Sequence, residues 1–123
     1  MSAARWSVQP LQLADAPQMR HLFAQVFGSE MPQALWDWKY GAGRGRALVA
    51  RDGDGHVVGH YGGSARQVWM FGQAQTAVQI CDVMVAQGVR GVLTRRGPLA
   101  LLTAAFLDAY IGTGKDYLVG FGF

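Results

Sequence analysis

One cysteine, Cys81, is all the thiol chemistry in this chain of 123 residues. A single thiol excludes an internal disulfide and gives no sign of a cross-linked secreted scaffold. Cys81 stands inside a β-prone run and reads as a small buried hydrophobe. Charge is sparse too: 15% of residues are charged, and the formal balance is +3. The arginines at 44, 46, 51 and 66 are scattered, so no concentrated basic face forms and nucleic acid is not expected as a partner. No apolar run reaches the ~20 residues of a membrane span. The longest, Leu99 to Ile111, is interrupted by Thr103 and Asp108. The first residues lack the regions of a signal peptide, so the cytoplasm is the expected compartment. The histidines at 21, 56 and 60 are not joined by cysteine or carboxylate at ligand spacing, and no metal is expected. His56 and His60 are four apart, which in a strand is ~13 Å. The glycine-rich segments match neither a Walker loop nor a dinucleotide-binding fingerprint.

Half of the residues are hydrophobic, enough for one domain over residues 1–123 with a core of its own. The chain is organised around Gln79 to Leu102. There an apolar β run, Ile80 to Val85, ends in a basic loop that feeds an apolar helical run starting near Pro98. The first turn of a helix leaves amide N–H groups without partners, and the macrodipole makes that end positive. Arg95 and Arg96 add directed donors for an anion, Gly97 allows close approach to the backbone, and Pro98 suits the first helical turn. A phosphate site and an ordinary strand-to-helix connection with solvated arginines both fit this pattern.

From the start of the chain, Trp6 to Leu13 reads as a strand, with Pro10 suggesting an edge. Asp15 is expected to cap a helix with Gln18 as its capping-box partner; Met19, Leu22, Phe23, Val26 and Phe27 form its apolar face and Gly28 ends it. Ser29 to Tyr40 reads as a second short helix, rich in aromatics. Ala47 to Arg51 is β-prone, and Asp52-Gly53-Asp54-Gly55 is a hairpin turn. The next strand, from His56, carries Gly59, Gly62 and Gly63, which suggests a bulge or a close approach by another group. A turn at Gly72-Gln73 returns the chain antiparallel from Ala74 to Val85. Pro98 to Ile111 is the main helix, and Tyr117 to Phe123 a last strand. The predicted class is α+β, in the order β-α-α-β-β-β-α-β, with a mixed, mostly antiparallel sheet flanked by helices.

Five short motifs occur in order: Trp38-Lys39-Tyr40, His60-Tyr61-Gly62-Gly63, Asp82 to Val85, Leu93 to Pro98, and Gly120 to Phe123. Together they resemble a bacterial subgroup of the GNAT superfamily of N-acetyltransferases. Thr94 to Leu99 falls on that family's six-residue cofactor motif, with Thr94 where Arg or Gln is usual and Leu99 where Gly or Ala is usual. The resemblance implies acetyl-CoA as co-substrate and a primary amine, attacking directly, as acceptor. It implies cofactor contacts from the backbone of Met84, Val85 and Ala86 and from Arg90, Arg95, Arg96, Gly97, Pro98 and Leu99. Asp82 is the expected general base, with His60 and Tyr61 on the neighbouring strand as further catalytic candidates; Cys81 has no paired histidine to activate it. Trp36 and Trp38 are candidates for the acceptor cleft, although core packing accounts for them more readily. The family fold continues beyond this order with a helix and two strands. The chain is therefore expected to be a piece of a longer fold, inactive alone, and to form a homodimer through the edge of its last strand. The other reading left open is a non-catalytic module that binds CoA or acts by association.

Overall fold

The computed structural model describes residues 5–89 and 97–122. The order is β1 (Ser7–Pro10), a 3-10 turn (Leu13–Asp15), α1 (Ala16–Phe27), α2 (Gln33–Trp36), a π turn (Asp37–Gly41), β2 (Gly45–Arg51), β3 (Val57–Met70), β4 (Gln73–Val85), a second 3-10 turn (Gln87–Val89), α3 (Pro98–Tyr110) and β5 (Val119–Phe121). This is the predicted α+β order. The strands lie side by side in sequence order, antiparallel from β1 to β4, with β5 joining β4 in parallel.

The apolar run at 47–50 lacks strict alternation because β2 is buried on both faces. Ala47 and Val49 face a core built with Met19 and Leu22 of α1, Met31, Trp36 and Tyr40. Leu48 and Ala50 face the opposite core, with Trp6, Val58, Val78, Leu102, Phe106 and Tyr117. The sheet is thus the middle of three layers, with α1 and α2 on one side and α3 on the other. No helix among the described residues is long and apolar enough to cross a membrane.

The glycines of β3 let the outer layers close on the sheet. A Cβ on Gly63 would run into Val78 and lie 3.1 Å from the Phe106 ring of α3. A Cβ on Gly62, on the other face, would meet the Tyr40 hydroxyl at 2.5 Å. The suspected close approach is therefore made by the protein itself.

Several boundaries differ from the sequence reading. β1 stops at Pro10, after which Leu11 donates to the Ala47 carbonyl and the chain turns into the 3-10 segment. Asp15 does not cap α1 with its side chain. Its carboxylate accepts from the Gln12 amide at 2.8 Å and from Arg51 Nη2 at 2.7 and 2.8 Å. Gln18 accepts from the Val57 amide at 2.9 Å instead of closing a capping box. The second helix starts only after Pro32 and changes to a π turn at Asp37. The β3–β4 hairpin turns on Phe71 and Gly72, both at positive φ, and exposes Trp69 and Phe71 at its tip. The last strand shortens to Val119–Phe121, because Tyr117 is buried against the α3 layer.

The Asp15–Arg51 pair ties α1 to β2 where the carboxylate side chain is 7% exposed. Asp15→Ala leaves the guanidinium without its partner and is expected to cost about 2–3 kcal/mol. Urea denaturation of both proteins measures the difference.

Candidate active site

The register of β3 on β4 pairs His60 with Met84 but Gly62 with Cys81, so β4 carries one extra residue opposite Tyr61. This bulge is built on Asp82, whose φ of 54° is left-handed. Asp accepts that conformation more readily than most residues, but it still costs about 1–2 kcal/mol. The Asp82 carbonyl is held by His60 Nδ1 at 2.7 Å. Its carboxylate points to the α2 side, where the π turn projects two consecutive side chains at it. Lys39 Nζ lies 3.2 and 3.0 Å from the two oxygens, and the Tyr40 hydroxyl donates to Oδ2. π turns are rare and occur often at functional sites. This one brings Lys39 and Tyr40 together on a single carboxylate.

The surroundings fix the protonation of the neighbours. Burial, and then the Asp82 charge, push the Tyr40 phenol far up, so it stays a donor. Burial also raises the Cys81 thiol, with Asp82 adding to it; the sulfur lies 4.0 Å from the Tyr40 hydroxyl and 3.9 Å from Ser64 Oγ. A neutral, half-buried thiol is a poor nucleophile. His60 is fully buried, and burial lowers its pKa. With Nδ1–H given to the carbonyl, its Nε2 has no hydrogen-bond partner.

The three predicted catalytic residues are not all brought together. Consecutive strand residues point to opposite faces, so His60 joins Asp82 while Tyr61 packs on Phe106 of α3 at 5.0 Å between ring centres. His60 is not exposed to a cleft either, being 0% accessible. Trp36 is a core residue, 2% exposed and 6.0 Å from the Tyr40 ring, which removes it as a surface for an acceptor. Trp38 is half exposed, with the Arg44 guanidinium 5.2 Å above its ring. Lys39 and Tyr40 were missed as site residues; the signal was present in the Trp38-Lys39-Tyr40 motif, whose last two residues both touch Asp82.

On the other edge of β4, β5 pairs only Ala77, Val78 and Gln79. β4 itself runs on to Val85, and Gly122 follows alongside Ile80. The Ala86 amide donates to the Val58 carbonyl at 2.8 Å, so it faces β3 and is not offered to a ligand. By alternation, the Val85 backbone groups face the opposite edge. The Met84 side chain is buried in the α1–α2 core. α3 follows β4 in the chain. Gly97 is its N-cap in extended conformation, buried Pro98 is its first residue, and Leu99 is 40% exposed. The first-turn amides from Leu99 on are the orphan donors expected of a helix start. Arg90, Arg95 and Arg96 lie outside the described residues.

The Asp-Gly-Asp-Gly turn corrects one reading: it gathers Asp52, Asp54 and His56 with possible ligand atoms within 4.8 Å of one another. The cluster is largely solvent-exposed, and Asp52 Oδ1 already accepts from the Asp54 and His56 amides at 2.9 and 3.0 Å.

The family described as acetyltransferase (GNAT) domain matches residues 7–123. No curated protein sequence matches the chain. Among solved structures, the chain is similar to an Escherichia coli GNAT family N-acetyltransferase in complex with CoA, at 26% identity and a TM-score of 0.69, covering 88% of this chain and 57% of that one. A Trypanosoma brucei acetyltransferase is similar at 16% identity and a TM-score of 0.71, covering 96% and 82%. An aminoglycoside acetyltransferase from an uncultured soil metagenomic sample is similar at 22% identity and a TM-score of 0.67, covering 100% and 80%.

Proposed function

The chain belongs to the GNAT acetyltransferase family, and from that premise we propose that it transfers an acetyl group from acetyl-CoA to a primary amine. The observation that carries this reading is the Asp82 carboxylate, which the β4 bulge sets between Lys39 and the Tyr40 hydroxyl on the strand that leads towards α3. An extended pantetheine arm would add alongside β4 as a further strand. The diphosphate belongs at the first turn of α3, at Gly97, Pro98 and Leu99, with Arg90, Arg95 and Arg96 supplying charge. When bound, acetyl-CoA supplies the activated acyl group as a thioester.

The chain's own contribution is proton handling and orientation. Asp82, paired with Lys39 and fixed by Tyr40, takes the proton that the acceptor ammonium must lose. The free amine then forms the new C–N bond as the C–S bond breaks, and the proton still carried by the nitrogen passes through solvent to the leaving thiolate. Backbone amides of β4 support the charge that develops on the carbonyl oxygen. Cytoplasmic location and pairing of two copies along β5, the last strand of the sheet, belong to this reading. A second reading, a non-catalytic module that binds CoA, draws on the Asp82 carboxylate being already shared between two donors.

Calorimetric titration of the chain with acetyl-CoA tests the site. We expect micromolar binding, weakened at least tenfold by Arg95→Ala with Arg96→Ala and weakened by added salt. Unchanged affinity in the double variant would remove the diphosphate assignment. Absence of any binding by the parent chain would remove the transferase reading.

A further inference from the structure

Among the described residues, Asp82 in the β4 bulge is the one non-glycine strand residue in the left-handed region, and its carboxylate is the one that Lys39 and Tyr40 share. Such a conformation persists only where its surroundings impose it. The group that reaches its carbonyl is His60, from the neighbouring strand, at 2.7 Å. The imidazole is fixed in turn: it is fully buried and meets the Tyr40 ring edge-on at 5.4 Å between centres. Gly62 beside it has no side chain, and a Cβ there would lie 3.0 Å from His60 Cε1. A carbonyl oxygen only accepts, so Nδ1 must carry the ring proton. The cost is a bare Nε2, buried without a partner. A core leucine would avoid that cost, so the histidine is explained by what Nδ1 does.

We propose that His60 is a positioning residue whose Nδ1–H clamps the Asp82 carbonyl, and that this clamp sets the bulge that aims the carboxylate at Lys39 and Tyr40. The step to function rests on Asp82 belonging to an acetyl-CoA site; the clamp itself does not.

Three measurements on the full chain decide it. In proton–nitrogen correlation spectra of the parent, the His60 ring is expected to carry its proton on Nδ1, with Nε2 bare. A proton on Nε2 overturns the proposal before any variant is made. His60→Asn sets an amide donor near the Nδ1 position, whereas His60→Gln sets it near Nε2. The Asn variant should keep the Asp82 Cα shift of a left-handed residue and lose less than threefold in acetyl-CoA affinity. The Gln variant should lose that shift and bind at least tenfold more weakly. Equal behaviour of Asn and Gln, in shift and in affinity, overturns the clamp. If both variants fail to fold, the parent's tautomer decides alone. If the parent binds no acetyl-CoA, the transferase reading fails, while tautomer and Cα shift still decide whether His60 holds the bulge.

Discussion

Replacing Asp82 by asparagine is expected to lower kcat/KM for acetylation of an amine about 10²–10³-fold, or about 3–4 kcal/mol of transition-state stabilisation. The substitution keeps the shape of the side chain and an oxygen for the Tyr40 hydroxyl. It removes the charge and with it the capacity to take a proton. It also strands the Lys39 ammonium, whose side chain is only 20% exposed and whose carboxylate partner is 8% exposed. Part of any loss could therefore be structural, and the measurements must separate the two. Release of CoA thiol, followed with a panel of amines as acceptors, gives the turnover. Calorimetry with acetyl-CoA and thermal unfolding give the rest. A base is identified by a fall in kcat with acetyl-CoA affinity retained and the unfolding midpoint little changed. Turnover at the parent rate in Asp82→Asn would exclude Asp82 from proton transfer.

Asp82 stood out in the sequence as a candidate, because the strand that carries it leads into the basic loop and the helix. Its partners stood in the sequence only as part of the Trp38-Lys39-Tyr40 motif, with nothing to say that they would meet Asp82. Lys39 and Tyr40 come from 43 and 42 residues away, and no local pattern foretells a π turn in the middle of an aromatic-rich segment. The left-handed bulge was hidden for a related reason: positive φ is usually marked by glycine, and here an aspartate adopts it under a hydrogen bond from another strand. The opposite directions of His60 and Tyr61 follow from strand geometry alone. By contrast, Gly28 at φ 75°, Pro98 at the start of α3 and the Asp52–Gly55 turn were readable, because each is a local steric matter. The exchange of partners at Asp15 and Gln18 lies between these cases. Both residues have the chemistry of a capping pair, but Arg51 and the Val57 amide compete for them once the sheet forms.

Phe106→Ala should be the most damaging single truncation on the α3 side, costing about 4 kcal/mol. The ring is 0% exposed; it reaches the sheet at Tyr61 and packs on Tyr110 of its own helix, each at 5.0 Å between ring centres. The site across the glycine of β3 is shaped to it: a Cβ on Gly63 would lie 3.1 Å from the ring and collide with Val78. A neighbour this rigid cannot move in to fill the space, so most of the cavity would remain. Since domains of this size are stable by only about 5–15 kcal/mol, the variant is expected to unfold at much lower urea. Gly63→Ala attacks the same contact from the sheet side and should cost about 1–3 kcal/mol by overpacking. The two errors have opposite sign in volume. Combining them should therefore cost less than the sum of the singles, by a coupling of about 1 kcal/mol. Urea midpoints of the two single variants and the double variant measure that coupling. Strict additivity would show that Gly63 and Phe106 do not share one packing site, and that α3 is held to the sheet by other contacts.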